Sequence, residues 1–214
     1  MSNKNQSNKF YGFSKILFNI IFKYYYNVSI IGKENIPKEG ATILAGNHKN
    51  IFDPCLTFIS TNRQIHYMAK KECFDKKIIG WTFRKIGCVP VDKFNSNYSS
   101  VKSTLSILSD GGIVGIFPEG TRNKTNNFLL PFKTGAVSMA QKTNAYVVPF
   151  AITGDYKFRS KNLKIRFGKP FKINEIDIKE ANKRLEDEIS KLMKINLNIE
   201  LKVAEKELID VRGE

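Results

Sequence analysis

Short apolar runs alternate with longer amphipathic stretches along most of the chain. Apolar runs of about four to eight residues bounded by Gly, Pro, Asn or Asp are typical of strands, whereas a roughly 3.6-residue apolar period is typical of helices. The predicted strands lie at 28–31, 41–45, 65–68, 86–91, 113–117, 146–152 and 163–167, and the predicted helices at 54–62, 76–85, 97–109, 135–143 and 179–197. Strands that alternate with helices favour an α/β fold with a largely parallel sheet flanked by helices.

The N-terminal segment from Lys9 to Tyr26 has a different pattern, because aromatic and aliphatic residues dominate it and lysines interrupt them. On a helix at about 100° per residue, the lysines fall within one arc of roughly 120° and apolar side chains cover most of the rest. A wide apolar face with a narrow lysine stripe predicts an N-terminal amphipathic helix that lies on a membrane surface. A helix packed on the protein's own core is the alternative.

These patterns divide the chain into an N-terminal tail and amphipathic helix at 1–27, a core at 28–170, and a charged helical tail at 171–214 that packs on the core or extends from it. A membrane-spanning helix needs about 20 apolar residues. The longest run without Asp, Glu, Lys or Arg is Thr143–Gly154, which is shorter and predicts a core strand. We therefore expect peripheral or monotopic membrane contact.

The chain is strongly basic, with 35 Lys and Arg against 20 Asp and Glu, which leaves a net charge of +15. This charge favours anionic partners such as lipid headgroups, phosphorylated substrates or nucleic acid. The three cysteines are odd in number and form no C-x-x-C pair, so we expect free thiols in a reducing compartment. The two histidines lack ligand-like spacing, so we expect no metal site.

Two polar clusters follow predicted strands, one at 47–54 and the other at 117–123. Sites in α/β folds lie outside the carboxyl ends of strands. His48 is a natural general base near neutral pH, and Asp53 is the nearby group that could orient it. Pro54 disfavours helix at Asp53 and is well suited to the first turn, so Asp53 is predicted to be a helix N-cap after a bent loop. A cap without catalytic function is the alternative.

The second cluster places Glu119, Gly120 and Arg122 in a tight loop after a strand. Arg122 offers a planar fork that can hold a phosphate through two hydrogen bonds. Gly120 allows close approach of the backbone to a ligand. A surface turn closed by a Glu119–Arg122 ion pair is the alternative for this loop taken alone.

Together these residues resemble the glycerolipid acyltransferase family of the PlsC type, which includes lysophosphatidic acid acyltransferases. Asn47, His48 and Asp53 match its N-H-x-x-x-x-D element, and 117–122 matches its F-P-E-G-T-R element residue for residue. Weaker counterparts of the second and fourth elements lie at 87–93 and 147–150, and 132–136 resembles the linker between the last two. The resemblance covers roughly residues 28–170. Lys93 stands where the family usually has Arg, which removes a bidentate fork but keeps the charge.

The resemblance implies direct transfer of a fatty acyl group from acyl-CoA or acyl carrier protein to lysophosphatidic acid. His48 and Asp53 would be catalytic. The substrate-binding residues would be Lys93, Glu119, Gly120, Thr121, Arg122 and Lys133. The thioester is a co-substrate, so no bound cofactor or metal is expected, and the enzyme would act at the cytoplasmic face of the cell membrane.

Three other interpretations remain open at this level. The acceptor could be glycerol 3-phosphate or another lysophospholipid. A basic nucleic-acid-binding module would explain the charge but leaves both strand-end clusters unexplained, so nucleic acid is not the expected partner. An inactive membrane-binding protein with the same fold is disfavoured by the intact His48, Asp53 and Arg122.

Overall fold

The computed structural model describes residues 2–91 and 98–212, with the side chains of 11–91 and 99–197. The helices are α1 Ser2–Ile20, α2 Asp53–Ser60, α3 Lys71–Asp75, α4 Lys77–Ile86, α5 Tyr98–Ser109, α6 Gly135–Thr143 and α7 Ile178–Arg212. The strands are β1 Ser29–Ile31, β2 Thr42–Gly46, β3 Ile65–Lys70, β4 Val89–Val91, β5 Ile113–Ile116, β6 Tyr146–Thr153 and β7 Lys164–Phe167. A π-helical segment, Ile21–Tyr25, continues α1, and a 3-10 turn occupies Lys33–Asn35.

The strands form one seven-stranded sheet in the order β1-β7-β6-β2-β5-β3-β4. Every neighbouring pair is parallel except β6 and β7, which are antiparallel. The predicted largely parallel α/β fold is therefore confirmed. The exception has a simple cause, because β6 and β7 are joined without a helix and a parallel return needs a longer crossover.

The sheet separates two apolar clusters. On one face, residues of β2, β5 and β6 pack with α5, α6 and α7. On the other face, the same strands pack with α2 and with aromatic side chains of the N-terminal segment. The central strands β2 and β6 are buried over almost their whole length, which fits a sheet covered on both faces.

The C-terminal helix α7 belongs to this core over its first half. A stripe of apolar side chains spaced about one helical turn apart is buried there: Ala181, Leu185, Ile189, Leu192 and Met193. The high Glu and Lys content of this segment hides the stripe in the sequence, because the charged residues occupy the positions between its members.

Two boundaries differ from the prediction in an instructive way. Ile86 was predicted to begin a strand but ends α4, and Gly87 then adopts a left-handed conformation with φ of 82° that closes the helix. β4 consequently begins only at Val89. Helix α5 ends in a similar way, since Gly111 has φ of 76° and its main-chain N–H donates to the Leu108 carbonyl.

Helix α1 packs with one face on the protein and leaves the other exposed. Tyr11 donates to the Arg63 carbonyl, and Lys15 binds the Thr61 carbonyl and Asn62. The exposed face of α1 is apolar and comprises Phe13, Ile16, Leu17 and Ile20, and it continues through Ile21 and Tyr24 of the π-helical segment. The predicted lysine stripe is therefore wrong for Lys15, which bonds to the protein, and burial lowers its pKa. In the part of the chain that the structure describes, no helix combines the length and apolar composition needed to cross a bilayer.

Candidate active site

The ends of β2 and β5 bring the two polar clusters together. These strands are neighbours and parallel, with Ala45 opposite Ile116, so the residues that follow them emerge at the same edge of the sheet. The main-chain N–H of Asn123 donates to the His48 carbonyl over 2.7 Å, which joins the two clusters directly. The strand-end rule applied to the sequence thus correctly predicts that the two clusters converge.

His48 and Asp53 form a hydrogen-bonded pair, with 2.8 Å between His48 Nδ1 and Asp53 Oδ2. Asp53 is fully buried, whereas the His48 side chain is 17% exposed. Because a carboxylate can only accept a hydrogen bond, the neutral form of the ring carries its proton on Nδ1 and presents the lone pair on Nε2. This is the tautomer that a general base requires.

The predicted N-cap role of Asp53 is wrong. Helix α2 begins at Asp53 itself, with Phe52 in the cap position, and the carboxylate makes no capping bond to the helix. Instead Oδ2 accepts the main-chain N–H groups of Lys49 and Asn50, at 2.6 and 2.7 Å. The loop at 48–50 bends back over Asp53. Its main-chain N–H groups and the His48 ring therefore all bond to the Asp53 carboxylate.

A further partner of Asp53 was not found from the sequence. Tyr156, just after β6, donates its hydroxyl to Asp53 Oδ1 over 2.6 Å. Burial, with Asp53 beside it, raises the pKa of Tyr156, so the hydroxyl stays protonated. The position of Tyr156 in the sequence could have indicated this contact. Strand β6 is parallel to β2, so the segment that follows β6 reaches the same edge of the sheet as the His48 loop.

The remaining contacts fix the His48 ring and the loop that carries it. The ring stacks on Phe117 with centroids 4.0 Å apart and planes at 15°. The side chain of Asn47 is buried and bonds to both main-chain groups of Ile152, accepting its N–H at 2.7 Å and donating to its carbonyl at 2.9 Å. Asn47 therefore holds the start of the loop to β6 through a paired amide contact.

Glu119 organises the two loops and forms no ion pair with Arg122. One carboxylate oxygen accepts the His48 N–H at 2.8 Å, and the other accepts the Leu130 N–H at 2.9 Å. Burial raises the pKa of Glu119, while these two hydrogen bonds oppose that rise. The alternative of a surface turn closed by Glu119 and Arg122 is thus excluded. Glu119, predicted to bind substrate, is 4% exposed and holds main-chain groups.

The other predicted binding residues in the described part of the chain are exposed beside this loop. Gly120 has φ of 67°, and the Lys133 ammonium lies 3.1 Å from where a Cβ on Gly120 would stand. The Lys133 main chain donates to the Pro118 carbonyl at 2.9 Å. Thr121 and Arg122 are solvent-exposed. Lys93 lies outside the described residues.

An apolar cavity of about 280 Å³ opens beside His48. His48 and Phe117 form one wall, and Phe18 of α1 and Phe58 of α2 lie along others. Two thiols, Cys55 and Cys88, also line it, and burial raises their pKa to about 12 and about 11. Both thiols are therefore protonated at neutral pH and are poor nucleophiles.

Comparison with known proteins agrees with this chemistry. A family model described as Acyltransferase matches residues 27–153, which is more than half of the chain. The chain therefore belongs to the acyltransferase family. It is an enzyme that transfers acyl groups, and the predicted resemblance to the PlsC type is confirmed.

Particular relatives refine the comparison. The chain is 38% identical over 148 residues to the 1-acyl-sn-glycerol-3-phosphate acyltransferase of Bacillus subtilis, covering 67% of this chain and 73% of that protein. It is 33% identical over 153 residues to the chloroplastic LPAT1 of Arabidopsis thaliana, covering 70% of this chain but only 42% of that protein. The fold resembles the crystal structure of PlsC from Thermotoga maritima, with a TM-score of 0.71, 23% identity and coverage of 88% of this chain and 78% of that one.

Proposed function

We propose that the protein is a 1-acyl-sn-glycerol-3-phosphate acyltransferase, which transfers a fatty acyl group from acyl-CoA or acyl carrier protein to lysophosphatidic acid and forms phosphatidic acid. The observation that carries the proposal is the hydrogen bond between a half-buried His48 and a fully buried Asp53 at the wall of an apolar cavity, beside an exposed basic loop. Relatives from Bacillus subtilis and Arabidopsis thaliana bear the name of this activity.

The chemistry follows from the tautomer of His48. Nε2 takes the proton of the glycerol hydroxyl as its oxygen bonds to the thioester carbonyl carbon. The carbon–sulfur bond then breaks, and the imidazolium returns the proton to the leaving thiolate. Asp53 stabilises the imidazolium formed between these steps. The reaction balances with no covalent enzyme intermediate and no resident cofactor or metal.

The apolar cavity suits the acyl donor, and the basic loop beside it suits the phosphorylated acceptor. The aliphatic and aromatic walls of the cavity suit a fatty acyl chain whose carbonyl lies at His48. Arg122 and Lys133, with Lys93, would hold the acceptor phosphate and so place its hydroxyl near Nε2. Thr121 and the Gly120 backbone would add neutral contacts to the same group.

We place the enzyme at the cytoplasmic face of the membrane. The exposed apolar face of α1 would enter the interfacial layer, and the net charge of +15 would draw the protein to anionic lipid. The three cysteines are free thiols, in keeping with a reducing compartment. A helix seated in this way lies beside the cavity, to which it contributes Ser14 and Phe18.

One assay tests the proposal. Purified protein in detergent is offered lysophosphatidic acid, glycerol 3-phosphate and a neutral lysophospholipid, each with acyl-CoA and acyl carrier protein, and products are resolved by mass. We expect phosphatidic acid as the main product, and none with His48→Ala. Preferential acylation of another acceptor would refute the proposed substrate, and equal product with His48→Ala would refute the proposed mechanism.

A further inference from the structure

Both oxygens of the Asp53 carboxylate accept hydrogen bonds, and the donors come from two distant parts of the chain. Oδ2 accepts hydrogen bonds from His48 Nδ1 and from two main-chain N–H groups of the same loop. Its Oδ1 accepts from Tyr156, which is 103 residues away in sequence. A carboxylate held at one oxygen can still tilt about that contact. The Tyr156 bond at the other oxygen fixes the plane of the carboxylate, and hence the direction from which Oδ2 meets Nδ1.

The ring of Tyr156 is itself held by aromatic neighbours. Its centroid lies 6.4 Å from Phe22, 5.8 Å from Tyr26 and 6.1 Å from Phe52. Phe22 is 2% exposed and belongs to the π-helical segment that continues α1. The N-terminal segment thus packs on the residue that binds the Asp53 carboxylate.

We propose that Tyr156 is a positioning residue for the His48–Asp53 pair, and that the N-terminal segment keeps its ring in place. The proposal rests on the proposed function, because it assigns His48 the role of general base. Tyr156 would act only through Asp53: it donates to the carboxylate, keeps water from Oδ1 and touches neither substrate. Losing its hydroxyl would therefore reduce turnover and leave substrate affinity unchanged.

Tyr156→Phe tests this with the ring left in place. We expect kcat to fall about tenfold with KM for both substrates changed less than twofold, as for a group that acts in the chemical step alone. In an Asp53→Asn background the same substitution should lower kcat less than twofold, because the group it acts through is already lost. Tyr146→Phe removes a hydroxyl at the opposite end of β6, where the side chain is 38% exposed, and is the matched control, so its kcat should stay within twofold of wild type.

A second readout does not depend on turnover. The chain has two histidines, so His48→Ala assigns the ¹⁵N spectrum of histidine-labelled protein. We expect the Nδ1–H tautomer of His48 in wild type and a mixture of tautomers in Tyr156→Phe. Unchanged kcat or an unchanged His48 spectrum in Tyr156→Phe would overturn the proposal, as would an equal kcat loss in the Asp53→Asn background. If wild type acylates none of the acceptors, the proposed function fails, and the spectra still decide the role of Tyr156.

Discussion

The two halves of the site differ in how firmly the fold holds them. Asp53 is fully buried and accepts hydrogen bonds from His48, Lys49, Asn50 and Tyr156. Arg122 and Thr121 are exposed, and within residues 2–91 and 98–212 no hydrogen bond or ion pair holds the Arg122 guanidinium. Groups that move a proton benefit from a fixed geometry, whereas a basic group that captures a phosphate can become ordered when the ligand binds. Substitutions should therefore affect turnover in one half and affinity in the other.

The largest effect should come from Asp53→Asn. The amide neither stabilises the imidazolium nor fixes its tautomer, so we expect kcat to fall at least about 100-fold. His48→Ala should match that loss, and the double variant should lose little more. Because Asp53 also accepts hydrogen bonds from two main-chain N–H groups, we expect the melting temperature to fall by several degrees. The rate of acyl transfer at saturating substrate measures kcat, and a thermal melt measures stability. Full activity in Asp53→Asn would contradict the proposed difference between the two halves of the site.

Glu119→Gln tests the link between the halves. A glutamine keeps one acceptor but turns its NH₂ toward the other main-chain donor, so either His48 or Leu130 loses its bond. We expect kcat/KM for the acceptor to fall roughly tenfold and the melting temperature to fall by a few degrees. Glu180→Gln, at an exposed glutamate on α7, is the control. A variant with wild-type kinetics would show that the two loops hold their positions without Glu119.

Arg122→Lys should change affinity alone. Lysine keeps the charge but loses the bidentate fork, so we expect KM for lysophosphatidic acid to rise about fivefold, with KM for the donor, kcat and the melting temperature nearly unchanged. Arg159→Lys provides the same change at another exposed arginine. Equal rises in KM for both substrates would argue against Arg122 as the phosphate-binding group.

The smallest effect concerns α1. Replacing Phe13 and Ile16, which are 67% and 64% exposed, with serine should lower binding to anionic vesicles at least about threefold and leave turnover in detergent unchanged. Co-sedimentation with vesicles is the measurement. Ile195→Ser, on the opposite layer, is the control. Undiminished binding would place the lipid contact elsewhere on the protein.

The sequence predicted the parts of the fold that follow from local pattern. The strands, the parallel sheet and the convergence of 47–53 with 117–122 all depend on apolar periodicity and on the rule that sites lie at strand ends. The roles of individual side chains depended on contacts across the fold. Asp53 resembled a cap because Pro54 follows it, and only the structure shows its carboxylate turned back to the loop.

Long-range contacts account for the remaining differences. Tyr156 approaches Asp53 only because β6 lies beside β2, an order that no local pattern specifies. An ion pair with Arg122 was the alternative considered for Glu119, yet the partners of Glu119 are main-chain N–H groups, which sequence reasoning does not track. Lys15 was assigned by periodicity alone to the lysine stripe of a membrane-surface helix, and its partner Thr61 lies 46 residues away.

The paired contact between Asn47 and Ile152 makes one amide proton a probe of the whole site. The Ile152 N–H is donated to the buried side chain of Asn47, at the start of the loop that carries His48, so it can exchange with solvent only when that loop leaves β6. Its rate of hydrogen–deuterium exchange therefore measures the free energy of opening the site, in a strand whose other amides report on the sheet. A substrate that binds the closed loop would slow this exchange without any change in the global stability of the protein.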